Sequence, residues 1–199
     1  MQPDFILSPE EAALVTNSSW LITKQRIVGK VYGLFGMLSE KFGEIISGYG
    51  EYIDQEVLSI PPKIYKGEMY RQLPYVMLDH PRYFSQDDVF AIRNMFWWGN
   101  HFSIHLMLSG KYRDQFEPRL RSHINEGTLD QWYLGINEDP WEHHFEDDNY
   151  MPIHILRNHP QELPKPTYLK IARLHPLEQW KDTYSFYISS YSQLLECLV

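Results

Sequence analysis

The chain has a single cysteine, Cys197, among its 199 residues. One thiol cannot close an internal disulfide, so no oxidised framework holds this fold. No run approaches the roughly 18 apolar residues of a membrane span. The best stretch, Val31 to Leu38, is short and is followed by Glu40, Lys41 and Glu44. Met1 to Ser8 lacks the basic start and long apolar run of a secretion signal. Basic residues number 18 against 26 acidic ones, a net charge of −8. That balance disfavours a nucleic-acid groove or an anionic membrane surface. Glycine-rich phosphate loops, a Gly-x-Ser-x-Gly elbow, a His-Glu-x-x-His run and an EF-hand loop are all missing. The expectation is a cytoplasmic, soluble chain with neither nucleic acid nor membrane as partner.

What the chain does have is material for a core. Hydrophobic residues make up 43% and aromatics 15%. The length suits one domain over residues 1–199. A helical layer is expected over about 1–60, a strand-rich part over about 64–174, and a final helix over about 176–198. Ser8-Pro9-Glu10-Glu11 reads as a capping box opening a first helix, which ends near Thr16 or Asn17. Val28, Val31, Phe35, Leu38, Phe42, Ile45, Tyr49 and Tyr52 then recur at spacings of three and four, the seam of a second, long helix. Gly29, Gly36, Gly43 and Gly50 stripe the same stretch every seven residues. A glycine stripe admits a close backbone, read here as packing within the chain, with a homodimer seam as the other option.

Pro61-Pro62 ends the helical layer, because the residue before a proline avoids helix. Tyr75–Leu78, Gln131–Asn137 and Thr167–Leu174 read as strands. Val89 to Trp98, the Gly99-Asn100 turn and the alternating His101 to Leu108 read as a hairpin, although Ser85, Asp87 and Asp88 could equally start a helix over 89–98. Lys111 to His123 reads as a solvated, mildly basic loop. Trp180, Tyr184, Tyr187, Tyr191, Leu194 and Leu198 lay an aromatic stripe along the last helix. Helices, then strands, then one helix predict an α+β fold with a mainly antiparallel sheet and the C-terminal helix packed on it.

Two places could carry chemistry. On the His101 strand, His101, Ser103, His105 and Met107 share one face, and Phe102, Ile104, Leu106 and Leu108 share the other. The second face is core; the first is solvent-facing or lines a cavity. The two histidines stand about 13 Å apart along the strand, too far for one ion. Arg93 and Trp97 join them as candidate ligand-binding residues, with Asp79 or Asp88 as the internal partner of Arg93. The second place is the stretch from Glu138 to Asp148. It holds six acids, His143 and His144, and no lysine or arginine. His144-x-Glu146 has the local spacing of a two-histidine, one-carboxylate metal site, with His143 and Asp147 as further candidate ligands and His154, His159 or His175 to complete it. Two functions follow. One is a non-catalytic module for a protein partner or small ligand. The other is a divalent-metal-dependent hydrolase or oxygenase built on the 138–148 loop.

Overall fold

Ser8 starts the first helix as its sequence predicts. In a computed structural model that describes residues 5–158 and 167–199, the Glu11 N–H donates to Ser8 Oγ and the Glu11 carboxylate accepts from the Ser8 N–H at 2.7 Å. The result is α1 (Pro9–Val15), and Asn17 caps α2 (Ser18–Ser47). A short α3 (Gln55–Leu58) precedes the sheet. The strands are β1 (Lys63–Tyr70), β2 (Leu73–Phe84), β3 (Val89–Trp97), β4 (His101–Ser109), β5 (Tyr133–Gly135), β6 (Tyr150–Pro152) and β7 (Tyr168–Pro176). The remaining helices are α4 (Gly110–Glu126), α5 (Ile153–Asn158) and α6 (Thr183–Glu196). The strand order is β1-β2-β3-β4-β7-β5-β6, and every paired neighbour is antiparallel. The fold is therefore α+β, with α6 packed on the sheet. Among the described residues no helix is long and apolar enough to cross a membrane.

Alternation sorts the sheet into two faces. Phe90, Ile92 and Phe96 of β3 and Phe102, Ile104, Leu106 and Leu108 of β4 face the helices. They meet Val31, Phe35, Leu38 and Phe42 of α2 and Tyr187, Tyr191 and Leu194 of α6. Phe42 stacks on Tyr191 with centroids 3.9 Å apart, and Phe35 meets Tyr187 edge-on at 5.8 Å. The opposite face presents Asp79, Arg93, Ser103, His105 and Lys170, and these are buried too. The connection from β5 to β6, residues 136–149, lies over it.

Of the two readings of Val89–Trp97 the hairpin strand is the one found, because its two faces are both covered and its register with β4 is continuous. Several other expectations are corrected. Lys111–His123 is not a loop but most of α4, which buries Tyr112, Phe116 and Leu120 at spacings of four against the sheet. Its charges masked that apolar row. The last strand runs through Pro176, and a 3-10 turn (Leu177–Asp182) delays the final helix to Thr183. The glycine stripe does not pack inside the chain at Gly29 or Gly36: a Cβ there would meet nothing within 4 Å. Only Gly43 approaches the sheet side, 3.7 Å from His80.

Two tyrosines of α6 give a direct check on the core. Tyr187 Oη donates to the Met95 carbonyl at 2.9 Å, while the buried Tyr191 Oη has no partner among the described residues. Tyr187→Phe should lose about 1 kcal/mol of unfolding free energy in urea, and Tyr191→Phe should lose nothing or gain. Equal losses would contradict this packing.

Candidate functional site

The polar face of the sheet is built around Arg93. Its Nε and Nη2 donate to the two oxygens of Asp79 at 2.8 and 2.9 Å, a bidentate pair across the β2–β3 register. Its Nη1 reaches His143 Nε2 at 3.2 Å. On the far side of that ring, His143 Nδ1 lies 3.1 Å from Lys170 Nζ. Lys170 is 1% exposed and also donates to the carbonyls of Pro140, at 2.8 Å, and Glu142.

These contacts determine protonation. An arginine in a protein is always charged, so Arg93 donates and His143 Nε2 accepts. The neutral ring then carries its proton on Nδ1, facing Lys170. Lys170 must accept it, and a neutral amine does so while its two N–H groups serve Pro140 and Glu142. Burial pushes the Lys170 amine well below its usual range, in the same direction. Burial likewise holds His143 and His105 far below the ordinary imidazole value, with the charge of Arg93 adding to it.

A second chain runs beside the first. Ser103 Oγ lies 2.8 Å from His105 Nε2, and His105 Nδ1 lies 2.8 Å from Tyr150 Oη. The two imidazoles are 4.9 Å apart between centroids. Ser103 and His105 are wholly enclosed, so this serine–histidine pair reaches no substrate as it stands. Ser103, His105 and Met107 are thus buried and His101 half-buried, because Phe145 of the loop stacks on Tyr150 at 4.6 Å and packs on His101 and His105. His101 meets Trp97 and Phe145 edge-on, and burial lowers its pKa to about 4.

The rim is aromatic. A pocket of about 380 Å³ opens beside the loop, lined by Tyr65, Tyr70, Tyr75, Met77, Arg93, Trp141 and His143. Tyr70 Oη accepts from the N–H groups of His143 and His144 and donates to Glu142 Oε2, so its hydroxyl pins the loop at three points. The Arg93 guanidinium lies 5.1 Å from the Trp141 ring. Trp141 itself is 50% exposed at the mouth.

No family model, curated protein or solved structure matches this chain. The site must be read from its own chemistry.

The structure brings Arg93, His105 and His143 together and seats Trp97 and His101 at their edge. It divides the other predicted residues differently. His144 Nε2, Glu146 and Asp148 offer ligand atoms within 4.8 Å of one another. Asp148 therefore stands where Asp147 was expected, because residue 148 comes back to His144 at 2.9 Å. His143 faces inward, away from this group. Of the histidines expected to complete it, His175 lies on the helix side, stacked on Phe186, and His159 is outside the described residues. Arg71 sits against the cluster, with Nη2 3.0 Å from His144 Nε2 and Nη1 3.4 Å from Glu146. Cys197 is core, its thiol pushed up to about 11 by burial, and is no nucleophile. Sequence reasoning missed Lys170, Tyr150, Tyr70 and Arg71. A signal existed for Lys170, the one charge inside the apolar run Tyr168 to Ala172.

Two pH windows follow. Below the ordinary lysine range the unfolded chain protonates Lys170, while burial and its three loop contacts disfavour the charge in the folded chain. The unfolded state binds the extra proton, so stability should rise with pH by about 1.4 kcal/mol per unit. Below about pH 6.5 the unfolded histidines take up protons that folded His105, His143, His101 and His80 refuse, so stability should fall further toward pH 4. Urea unfolding at each pH measures both. Lys170→Met should abolish the alkaline rise and cost about 2–3 kcal/mol at pH 7 by orphaning two carbonyls. A flat profile from pH 7 to 9 in the native chain would mean that Lys170 is charged.

Proposed function

We propose that this chain is a soluble cytoplasmic module, not a catalyst, and that it binds a small planar ligand in the aromatic pocket over Arg93. One observation carries the reading. Four aromatic rings, from Tyr65, Tyr70, Tyr75 and Trp141, surround an arginine whose charge Asp79 already balances. Arg93 has five N–H donors and uses three on Asp79 and His143. One N–H on each terminal nitrogen remains for an acceptor oxygen of the ligand. Ring faces stack on a planar partner and on the guanidinium, and a volume of this size suits a small molecule. The balanced Arg–Asp pair and the acidic rim at Glu142 favour a neutral or weakly acidic ligand over a polyanion.

The Lys170 anchor supports binding over catalysis. The nitrogen that could act as a nucleophile is used, its lone pair taken by His143 and its protons by the loop.

A second reading keeps the divalent metal at His144, Glu146 and Asp148. The convergence of those three groups favours it. Arg71 weakens it, since its guanidinium already supplies a cation at the same place.

Titration with a panel of aromatic amides and carboxylates, nicotinamide and salicylate among them, tests the first reading through tryptophan fluorescence and thermal shift. At least one should bind saturably, and Tyr75→Ala and Trp141→Ala should each weaken it tenfold or more, a difference of about 1.4 kcal/mol. One-to-one uptake of zinc or manganese, lost in Asp148→Ala, together with silence across the panel, would replace the ligand reading with the metal one.

A further inference from the structure

The N-terminal arm is apolar, helical and uncovered. Every residue from Pro9 to Thr23 is exposed. Leu14, Val15, Trp20, Leu21 and Ile22 are between 46% and 68% exposed. A seven-residue helix is well below the roughly 12–15 residues that hold a helix in water by themselves, so α1 needs a surface to lie on. The stripe of α2 that packs on the sheet at Val31 runs back through Val28 and Lys24 to Trp20, past the last sheet contact. A contiguous apolar patch of this kind marks an interaction surface.

A matching surface lies farther along α2. A groove of about 640 Å³ runs between α2 and the start of α6, with Gly33 and Leu34 on one side and Trp180 and Tyr184 on the other. Beside it, a Cβ at Gly29, Gly33 or Gly36 would meet nothing within 4 Å. Each glycine inside a helix costs about 1 kcal/mol relative to alanine. Nothing within the chain uses the space they leave, and a helix laid against them would.

Charge selects the occupant. From Phe5 to Thr23 the only charged residues are Glu10 and Glu11. The groove is edged by Lys30 and Lys181, both exposed and without an ion pair among the described residues. An apolar acidic helix thus faces an apolar basic groove. A chain cannot fill its own groove: α1 is tied to the start of α2 by two residues, and Lys30 lies about 18 Å farther along that helix. The same acids disfavour an anionic membrane.

We propose that two copies of this chain exchange N-terminal arms, α1 of each lying in the α2–α6 groove of the other about a two-fold axis. Both arms and both grooves are covered by the one operation. The exchange is independent of the ligand pocket, which opens on the opposite face of the sheet.

Light scattering on the full chain tests it. The expected mass is twice that of one chain at tens of micromolar. Leu14→Asp with Val15→Asp should halve the mass and lower the far-ultraviolet helical signal by no more than the seven residues of α1, since both side chains are exposed in the single chain and the rest of the fold does not touch them. Lys30→Glu with Lys181→Glu should weaken the dimer at least tenfold, and adding Glu10→Lys should recover most of that loss. A native mass of one chain overturns the proposal. So does a dimer that survives Leu14→Asp with Val15→Asp, or a single-chain protein whose arm binds anionic vesicles instead.

Discussion

One amine holds the loop over the polar face of the sheet. Lys170 is buried near the start of β7, and its hydrogen bonds go to Pro140, Glu142 and His143. A buried ammonium would need a counter-charge, and among the described residues none touches it. Given up as a neutral amine, it has two donors and one acceptor, and the loop presents two carbonyls and one ring N–H. The placement of residues 136–149 follows from that match. So does the protonation of His143, and through His143 the third contact of Arg93.

The loop in turn decides what the sheet can do. With it in place, β3 and β4 are covered on both faces, and their polar side chains must satisfy one another. They do so in two chains, Asp79–Arg93–His143–Lys170 and Ser103–His105–Tyr150. Burial keeps both imidazoles neutral. At the β1–β2 side, where the aromatic rings splay around Trp141, there is room for another molecule. Arg71 and Gln72 turn the chain there with φ of 46° and 65°, left-handed values that non-glycine residues seldom adopt. That turn delivers the Arg71 guanidinium to Glu142, Glu146 and His144. The acidic loop is therefore divided. His143 is turned inward as structure, while His144 faces the acids at the rim, where Glu142 and Glu146 meet Arg71.

Much of the fold was legible in the residues. The Ser8–Glu11 box, the three-and-four seam from Val28 to Phe42, the alternation from Phe102 to Leu108 and the tyrosine stripe before Leu194 are local patterns, each set by the geometry of one element. The site was legible in part. Arg93 and His105 stood out as charged or titratable groups in apolar surroundings, and His143 and His144 by lying among six acids. Lys170 carried the same signal and was passed over because its strand was read only as a strand. Asp148 was displaced by one position because the return of the chain after Asp147 is a loop geometry with no period. α4 was hidden by its charges, although Tyr112, Phe116 and Leu120 repeat every four residues.

The sequence by itself determined the first two helices, the His101 strand and the last helix, which face of each longer element is apolar, and that one short loop concentrates six of the acids. Those properties depend on neighbours within a few residues. Only the tertiary structure decided that this loop lies on the sheet, that Lys170 and Arg93 take opposite sides of one imidazole, and that Gly29, Gly33 and Gly36 of α2 face outward. Each of these joins residues tens of positions apart, through the strand order that inserts β7 between β4 and β5. No periodicity records such a pairing; it comes from burying two sheet faces at once while leaving no buried polar group of the anchor unpaired.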